Sequence, residues 1–242
     1  MPEEKQIRLS DRLHTIARMI PARSRVADIG TDHGYLPIWL IQNGAAERVI
    51  ACDVREGPLE HARRSAAAYH VEQQLEFRLG DGLACVVPEE IDTVVIAGMG
   101  GETIISILQN APWTKSASCR LLLQPMTKAE LLRAFLAENG HCFIREQLVY
   151  ENHTYFPVMM LCGGAAPVRL DLGHCWGGVL LDQDPLQGQA LDAMIGQMRT
   201  ALSGLERSAL ERNAKKAAAQ RELIAQLSGM KEEWEHANGK RN

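Results

Sequence analysis

Asp28-Ile29-Gly30-Thr31-Asp32-His33-Gly34-Tyr35 follows an apolar run at Val26 and reads as the end of a strand, a tight turn and the start of a helix. Glycine in such a turn removes the Cβ that would keep backbone amides away from a ligand. The spacing approaches the dinucleotide pattern G-x-G-x-x-G but departs from it at the second glycine, whose place is held by Asp32. A carboxylate there repels a pyrophosphate and suits a cationic ligand.

Outward from this turn, short apolar runs alternate with helix-period segments, the pattern of a doubly wound α/β domain. Strands are expected at Arg25 to Ile29, Arg48 to Asp53, Leu75 to Leu79, Thr93 to Ala97 and Arg120 to Gln124, with helices around 36–44, 57–70, 102–110 and 128–139. Near-continuous Val, Ile and Leu content predicts strands buried on both faces. Two further runs, Phe143 to Glu151 and Tyr155 to Cys162, are separated only by Asn152, His153 and Thr154. That gap is too short for a crossover helix, so an antiparallel terminal hairpin is expected, completing a Rossmann-like sheet of seven strands.

Ahead of strand one, Leu9, Leu13, Ile16, Ala17 and Ile20 recur at helical spacing between Ser10, a plausible N-cap, and Pro21, a stop. Beyond the hairpin a loop-like stretch runs through Gly177-Gly178, and Asp184-Pro185 reads as a cap followed by the first helical position. Ile195, Met198, Leu202, Leu205 and Ala209 form an apolar stripe; Arg212 and Lys216 interrupt it before Ala219, Leu223, Leu227, Met230 and Trp234 resume it. A broken stripe predicts two antiparallel helices that fold back near 211–216. The expected organisation is therefore a sheet domain with its lead-in helix over 1–166 and a C-terminal helical, coiled-coil-like domain over 180–238.

The chain has 242 residues, 46% hydrophobic and 23% charged, ordinary values for a globular protein. No apolar stretch approaches the roughly 18 residues of a membrane span, and no signal-like N-terminal segment is seen, so a cytoplasmic protein without membrane association is expected. The cysteines at 52, 85, 119, 142, 162 and 175 are scattered singly without metal-ligand spacing, so reduced, mostly buried thiols and no metal are expected. The net charge of −4 hides two basic segments. Residues 1–25 hold six basic side chains against three acidic ones, and residues 199–221 hold six against two. Either could meet phosphates, and each alone also fits a solvated helix face.

On this scaffold the strand ends converge on the crevice where open α/β sheets bind ligands. Strand one ends in Asp28, Gly30 and Asp32; strand two in Asp53; strand three in Asp81-Gly82; strand four in Ala97-Gly98-Met99-Gly100-Gly101. Asp53 is suited to two ribose hydroxyls and Asp81 to an exocyclic amine, while no station offers a basic group for phosphates. A strand-end Asp is commonly only a turn former. Together, however, the stations fit an adenosine bearing a positive centre, which is S-adenosylmethionine.

Arg12-Leu13, Ala27 to Pro37, Gly80-Asp81-Gly82, Ala97-Gly98-Met99-Gly100-Gly101 and Leu123-Gln124-Pro125 resemble the bacterial tRNA (adenine(22)-N1)-methyltransferase family over most of the chain. Met126 stands where that family often has Asn. The resemblance implies a class I methyltransferase that uses S-adenosylmethionine, held by Asp28, Gly30, Asp32, His33, Gly34, Tyr35, Asp53, Asp81, Gly82, Ala97, Gly98, Met99 and Gly100. It implies that N1 of a tRNA adenine takes the methyl group by in-line displacement without prior deprotonation. Asp32 is the candidate for stabilising the cationic product, or else caps the following helix. Gln124 contacts the base edge, or else is a structural amide. Tyr35 and Tyr155 stack on the base or pack in the protein. Arg8, Arg12, Lys215 and Lys216 are candidate phosphate contacts. A monomer is the default expectation. Rival readings are a methyltransferase for another RNA or a small molecule, and a non-catalytic cofactor-binding protein whose helical tail docks a partner.

Overall fold

The computed structural model describes residues 6–207 and 211–239. Seven strands form one sheet: β1 (Ser24–Ile29), β2 (Ala46–Asp53), β3 (Leu75–Leu79), β4 (Thr93–Gly100), β5 (Arg120–Thr127), β6 (Cys142–Glu151) and β7 (Thr154–Cys162). Their order is β3-β2-β1-β4-β5-β7-β6, parallel except for the antiparallel pairings of β7 with β5 and β6. The hairpin turn is one residue shorter than the expected gap, because Thr154 already pairs with Glu151. Its two central residues, Asn152 and His153, have φ of 50° and 59°, the left-handed pair that matches strand twist in a two-residue turn.

Helices α1 (Asp11–Met19), α2 (Tyr35–Gln42), α3 (Glu56–Ala68), α4 (Gly101–Gln109) and α5 (Ala129–Glu138) cover the sheet. Ser10 caps α1 by accepting from Leu13 N, as its position implied. Alternate residues of each central strand feed two cores. Val95, Leu122 and Val158 join Ile16 of α1 and Ile38 of α2 on one side. Val94, Ile96, Leu121 and Leu123 meet Ile104 of α4 and Leu132 of α5 on the other.

β4 and β5 continue three residues past their expected ends at Ala97 and Gln124. Pairing runs on through Ala97↔Gln124, Met99↔Pro125 and Gly100↔Thr127 with register shifts at Gly98, so the glycine cluster is a bulged strand end and not a free loop. Gly98 has φ of 75°.

A short helix, α6 (Leu172–Gly177), occupies the stretch expected to be loop, and α7 (Gln187–Glu206) and α8 (Glu211–Gly239) form the C-terminal pair. Asp184 does not cap α7, which begins at Gln187. Its carboxylate instead accepts from Leu148 N of β6 and from Leu186 N, both at 2.9 Å. The helix break lies between Glu206 and Glu211, ahead of the expected 211–216, which is helical; residues 208–210 lie outside the described ones. Lys216, which interrupts the stripe, is exposed on α8. Leu191, Ile195 and Met198 of α7 pack on Leu223 and Leu227 of α8, and ion pairs Lys231–Asp192 and Arg221–Glu206 confirm the antiparallel register.

The helical pair is anchored by a buried network. Arg133 of α5 pairs with Glu146 of β6 at 2.8 Å, with side chains 3% and 0% exposed. Arg133 also donates to the Cys175 and Trp176 carbonyls, and Glu146 accepts from Val179 N and Leu180 N. Both charges are thus hydrogen-bonded, as burial demands. Among the described residues no helix is long and apolar enough to cross a membrane, and no cluster of three metal-capable side chains exists. The cysteines are free, with Cys52, Cys119 and Cys175 buried and Cys142 exposed, so burial is less general than expected.

Candidate active site

At the carboxyl ends of β1 to β5, where strand order reverses between β1 and β4, lies a cavity of about 580 Å³. Its wall brings together Asp28, Gly30, Asp32, His33, Tyr35, Asp53, Asp81, Gly82, Ala97, Gly98, Met99, Gln124 and Arg12. These residues come from positions 12 to 124, and only the sheet topology makes them neighbours.

The floor is acidic. Asp28 and Asp53, on adjacent parallel strands, are both buried. Burial raises the Asp28 carboxyl to about 6, the Thr31 hydroxyl opposing the rise and the Asp53 carboxylate adding to it. Asp53 accepts from Arg55 N at 3.0 Å, which fixes its carboxylate at the strand end. A floor of this kind favours a ligand that brings positive charge and hydroxyl donors. The turn above it alternates left-handed residues, with φ of 77° at Gly30, 49° at Asp32 and 72° at Gly34. Gly30 N and Thr31 N donate to the Cys52 carbonyl, folding the turn over β2. The left-handed φ at Gly30 strains any residue with a Cβ, so the cradle favours glycine there, with the movable Met99 methyl lying against it.

Asp32 is a non-glycine residue in the left-handed region, a conformation that costs on the order of 1 kcal/mol. Its side chain is 72% exposed and stands 3.7 Å from His33 Nε2. Helix α2 is capped by Gly34 without a side-chain hydrogen bond, so Asp32 is not a helix cap. His33 stacks on Tyr35 with centroids 5.3 Å apart, and Tyr35 is 43% exposed at the mouth. Tyr155 instead packs 4.7 Å from Tyr150 and donates to Gln189 Oε1, away from the cavity wall.

Gln124 and Arg12 form one unit. Gln124 is 1% exposed; its Oε1 accepts from Gly98 N at 3.2 Å and from Arg12 Nη1 at 3.1 Å, and its Nε2 donates to the Pro125 carbonyl at 2.8 Å. The amide oxygen therefore pins the β4 bulge, the structural role that was the alternative to a base contact. Arg12 is held at Nε by Glu151 Oε1 at 3.2 Å and lies over the Phe156 ring at 5.0 Å, with Nη1 also reaching Met126 Sδ at 2.8 Å. It lines the cavity with its Nε and Nη1 committed to Glu151 and Gln124. Its partner Glu151 lies 139 residues away, and no local signal announces the pair.

Gly34 and Gly100 stay outside the wall, as the N-caps of α2 and α4. Arg8 is exposed before α1; Lys215 and Lys216 are exposed in the first turns of α8. From there α7 leads back over its 20 residues, about 30 Å, toward the sheet. Ser10, Val54, Arg55, Thr103 and Ile107 also line the cavity. Arg55 and Val54 directly follow the Asp53 station and were legible by adjacency; Ile107 required the fold. Arg55 also supplies a basic side chain at the mouth, which the strand-end stations lacked.

Residues 9–159 match the family described as Methyltransferase domain. The tRNA (adenine(22)-N(1))-methyltransferase of Bacillus subtilis (strain 168) is 32% identical over 186 residues, covering 77% of this chain and 76% of that protein. The crystal structure of the B. subtilis M1A22 tRNA methyltransferase TrmK superposes with a TM-score of 0.84 at 26% identity, over 93% of this chain and 99% of that one. M. capricolum TrmK in complex with S-adenosyl-homocysteine gives 0.79 at 26% identity, over 93% and 98%.

Proposed function

The chain belongs to the tRNA (adenine(22)-N1)-methyltransferase family, and on that premise we propose that it methylates N1 of adenine 22 in tRNA with S-adenosylmethionine. The observation that carries the reading is the cavity with an acidic floor and a glycine cradle at the strand-order reversal. Its chemistry fits the cofactor. Asp53 would hold the ribose hydroxyls, Asp81 the adenine amine, and Asp28 with Asp32 the positively charged end.

When bound, the cofactor supplies an electrophilic methyl group on cationic sulfur, and its transfer to the N1 lone pair leaves the base positive. The protein's work is alignment and charge stabilisation. Asp32, exposed at the mouth, would face the positive base, and Tyr35 would offer a ring beside it. Gln124 and Arg12 act as positioning residues by holding the Gly98 bulge against the cavity. N1 lies on the Watson–Crick edge, so adenine must leave any pairing before it reacts. The helical pair over 180–238 would serve as a second domain that grips the tRNA, its exposed Lys215 and Lys216 meeting phosphates far from the reacting base. Incubation with labelled cofactor and bulk tRNA, followed by nucleoside analysis, tests the reading; 1-methyladenosine at position 22 is the expected product.

A further inference from the structure

A second, smaller cleft of about 170 Å³ opens between α1 and β6, walled by Thr15, Arg18, Arg145, Gln147 and Leu148. We propose that it binds one phosphodiester of the tRNA backbone, held between Arg18 and Arg145; this rests on the tRNA reading above. The two arginines come from different elements and are both exposed, and neither guanidinium has an ion pair or hydrogen bond among the described residues. Two guanidinium groups on one small cleft repel each other until an anion enters. Their planar forks match phosphate oxygens, and the Thr15 hydroxyl and Gln147 amide can add neutral donors. At less than a third of the main cavity's volume, the cleft suits one phosphate group and not a nucleoside.

Placement ties the cleft to the reaction. α1 and β6 run side by side: Arg12 meets Glu151 at the cavity mouth, and Arg18 meets the Arg145–Leu148 segment at the other end. The six steps along β6 from Arg145 to Glu151 span about 20 Å, a few nucleotides along an RNA strand. The lead-in helix thus divides its basic residues. Arg12 turns inward to organise the active site, and Arg18 turns outward to fix the substrate backbone.

The test uses the full-length protein and its Arg18→Ala, Arg145→Ala and doubly substituted variants, with Arg18→Lys and Arg145→Lys as charge-preserving controls. Filter binding of tRNA is measured between about 50 and 200 mM salt. The double alanine variant is expected to bind every tRNA several-fold more weakly and to lower the slope of log affinity against log salt by about 0.7 to 0.9, the contribution of one phosphate, with each single alanine variant falling between it and the wild type. Both lysine variants should keep the slope, and cofactor affinity, which reports the fold, should match the wild type throughout. Inorganic phosphate is titrated in parallel against wild type and double variant. An unchanged tRNA slope in the double variant overturns the proposal, and so does a cleft that takes only free phosphate. Failure of the underlying reading looks different: wild-type protein that neither binds nor methylates tRNA, which overturns both.

Discussion

Asp28 and Asp32 occupy one turn and have opposite environments. Asp28 is buried with its carboxyl raised to about 6, so the folded protein holds its proton at a pH where the unfolded chain has lost it. Between about pH 4 and 6 the folded state binds more protons, so this group's contribution to stability falls as pH rises through that window and is unfavourable above it. Replacing Asp28 by Asn should therefore stabilise the ligand-free protein at pH 7 by about 2 to 3 kcal/mol, read by denaturant unfolding, while weakening cofactor binding, read by calorimetry. Asp32 is exposed and left-handed. Asp32→Gly relieves the backbone and should raise stability by up to about 1 kcal/mol, yet weaken cofactor binding and, at saturating cofactor, lower the methyl-transfer rate at least 10-fold. Unchanged turnover in that variant would remove Asp32 from charge stabilisation.

Among the elements, the bulged end of β4 and the Arg12–Gln124 unit that pins it show how an edge of the sheet becomes a site. Arg12→Lys keeps the charge but loses the fork that serves Glu151 and Gln124 together, so turnover should fall several-fold with cofactor affinity little changed, measured by paired kinetics and calorimetry. Breaking the buried pair by Glu146→Gln leaves Arg133 charged and uncompensated, and should destabilise by about 3 kcal/mol in chemical unfolding. Strands, helices and their order were legible in the sequence because the apolar runs and turn residues are local signals; β3 and the helix cap at Ser10 illustrate it. The extensions of β4 and β5 were not, because they arise from pairing between residues about 26 apart across a bulge. Asp184-Pro185 carries the local signature of a helix start, yet the Asp184 carboxylate is taken by Leu148 N of β6, and tertiary demand wins. The interruption at 212–216 resembled a helix break because an exposed residue such as Lys216 and a bend both interrupt an apolar stripe.

In the whole molecule, the acidic stations were legible one by one, since each stands at a strand end, and the topology alone turned them into a single floor. The basic residues were less legible. Arg12 and Arg18 look equivalent along α1, and only the pairing of Arg12 with Glu151 of β6 tells the inward residue from the outward one. Lys215 and Lys216 stand at the far end of the helical pair, so reversing both to Glu should weaken tRNA binding and reduce its salt slope without altering cofactor affinity, as read by filter binding and calorimetry. The most direct test of the account is transfer of a labelled methyl group from S-adenosylmethionine to unmodified bulk tRNA by the purified chain, with the product digested to nucleosides and its position mapped. The account predicts label in 1-methyladenosine at position 22 alone; label in another nucleoside, or none in tRNA while the cofactor is bound, would contradict it.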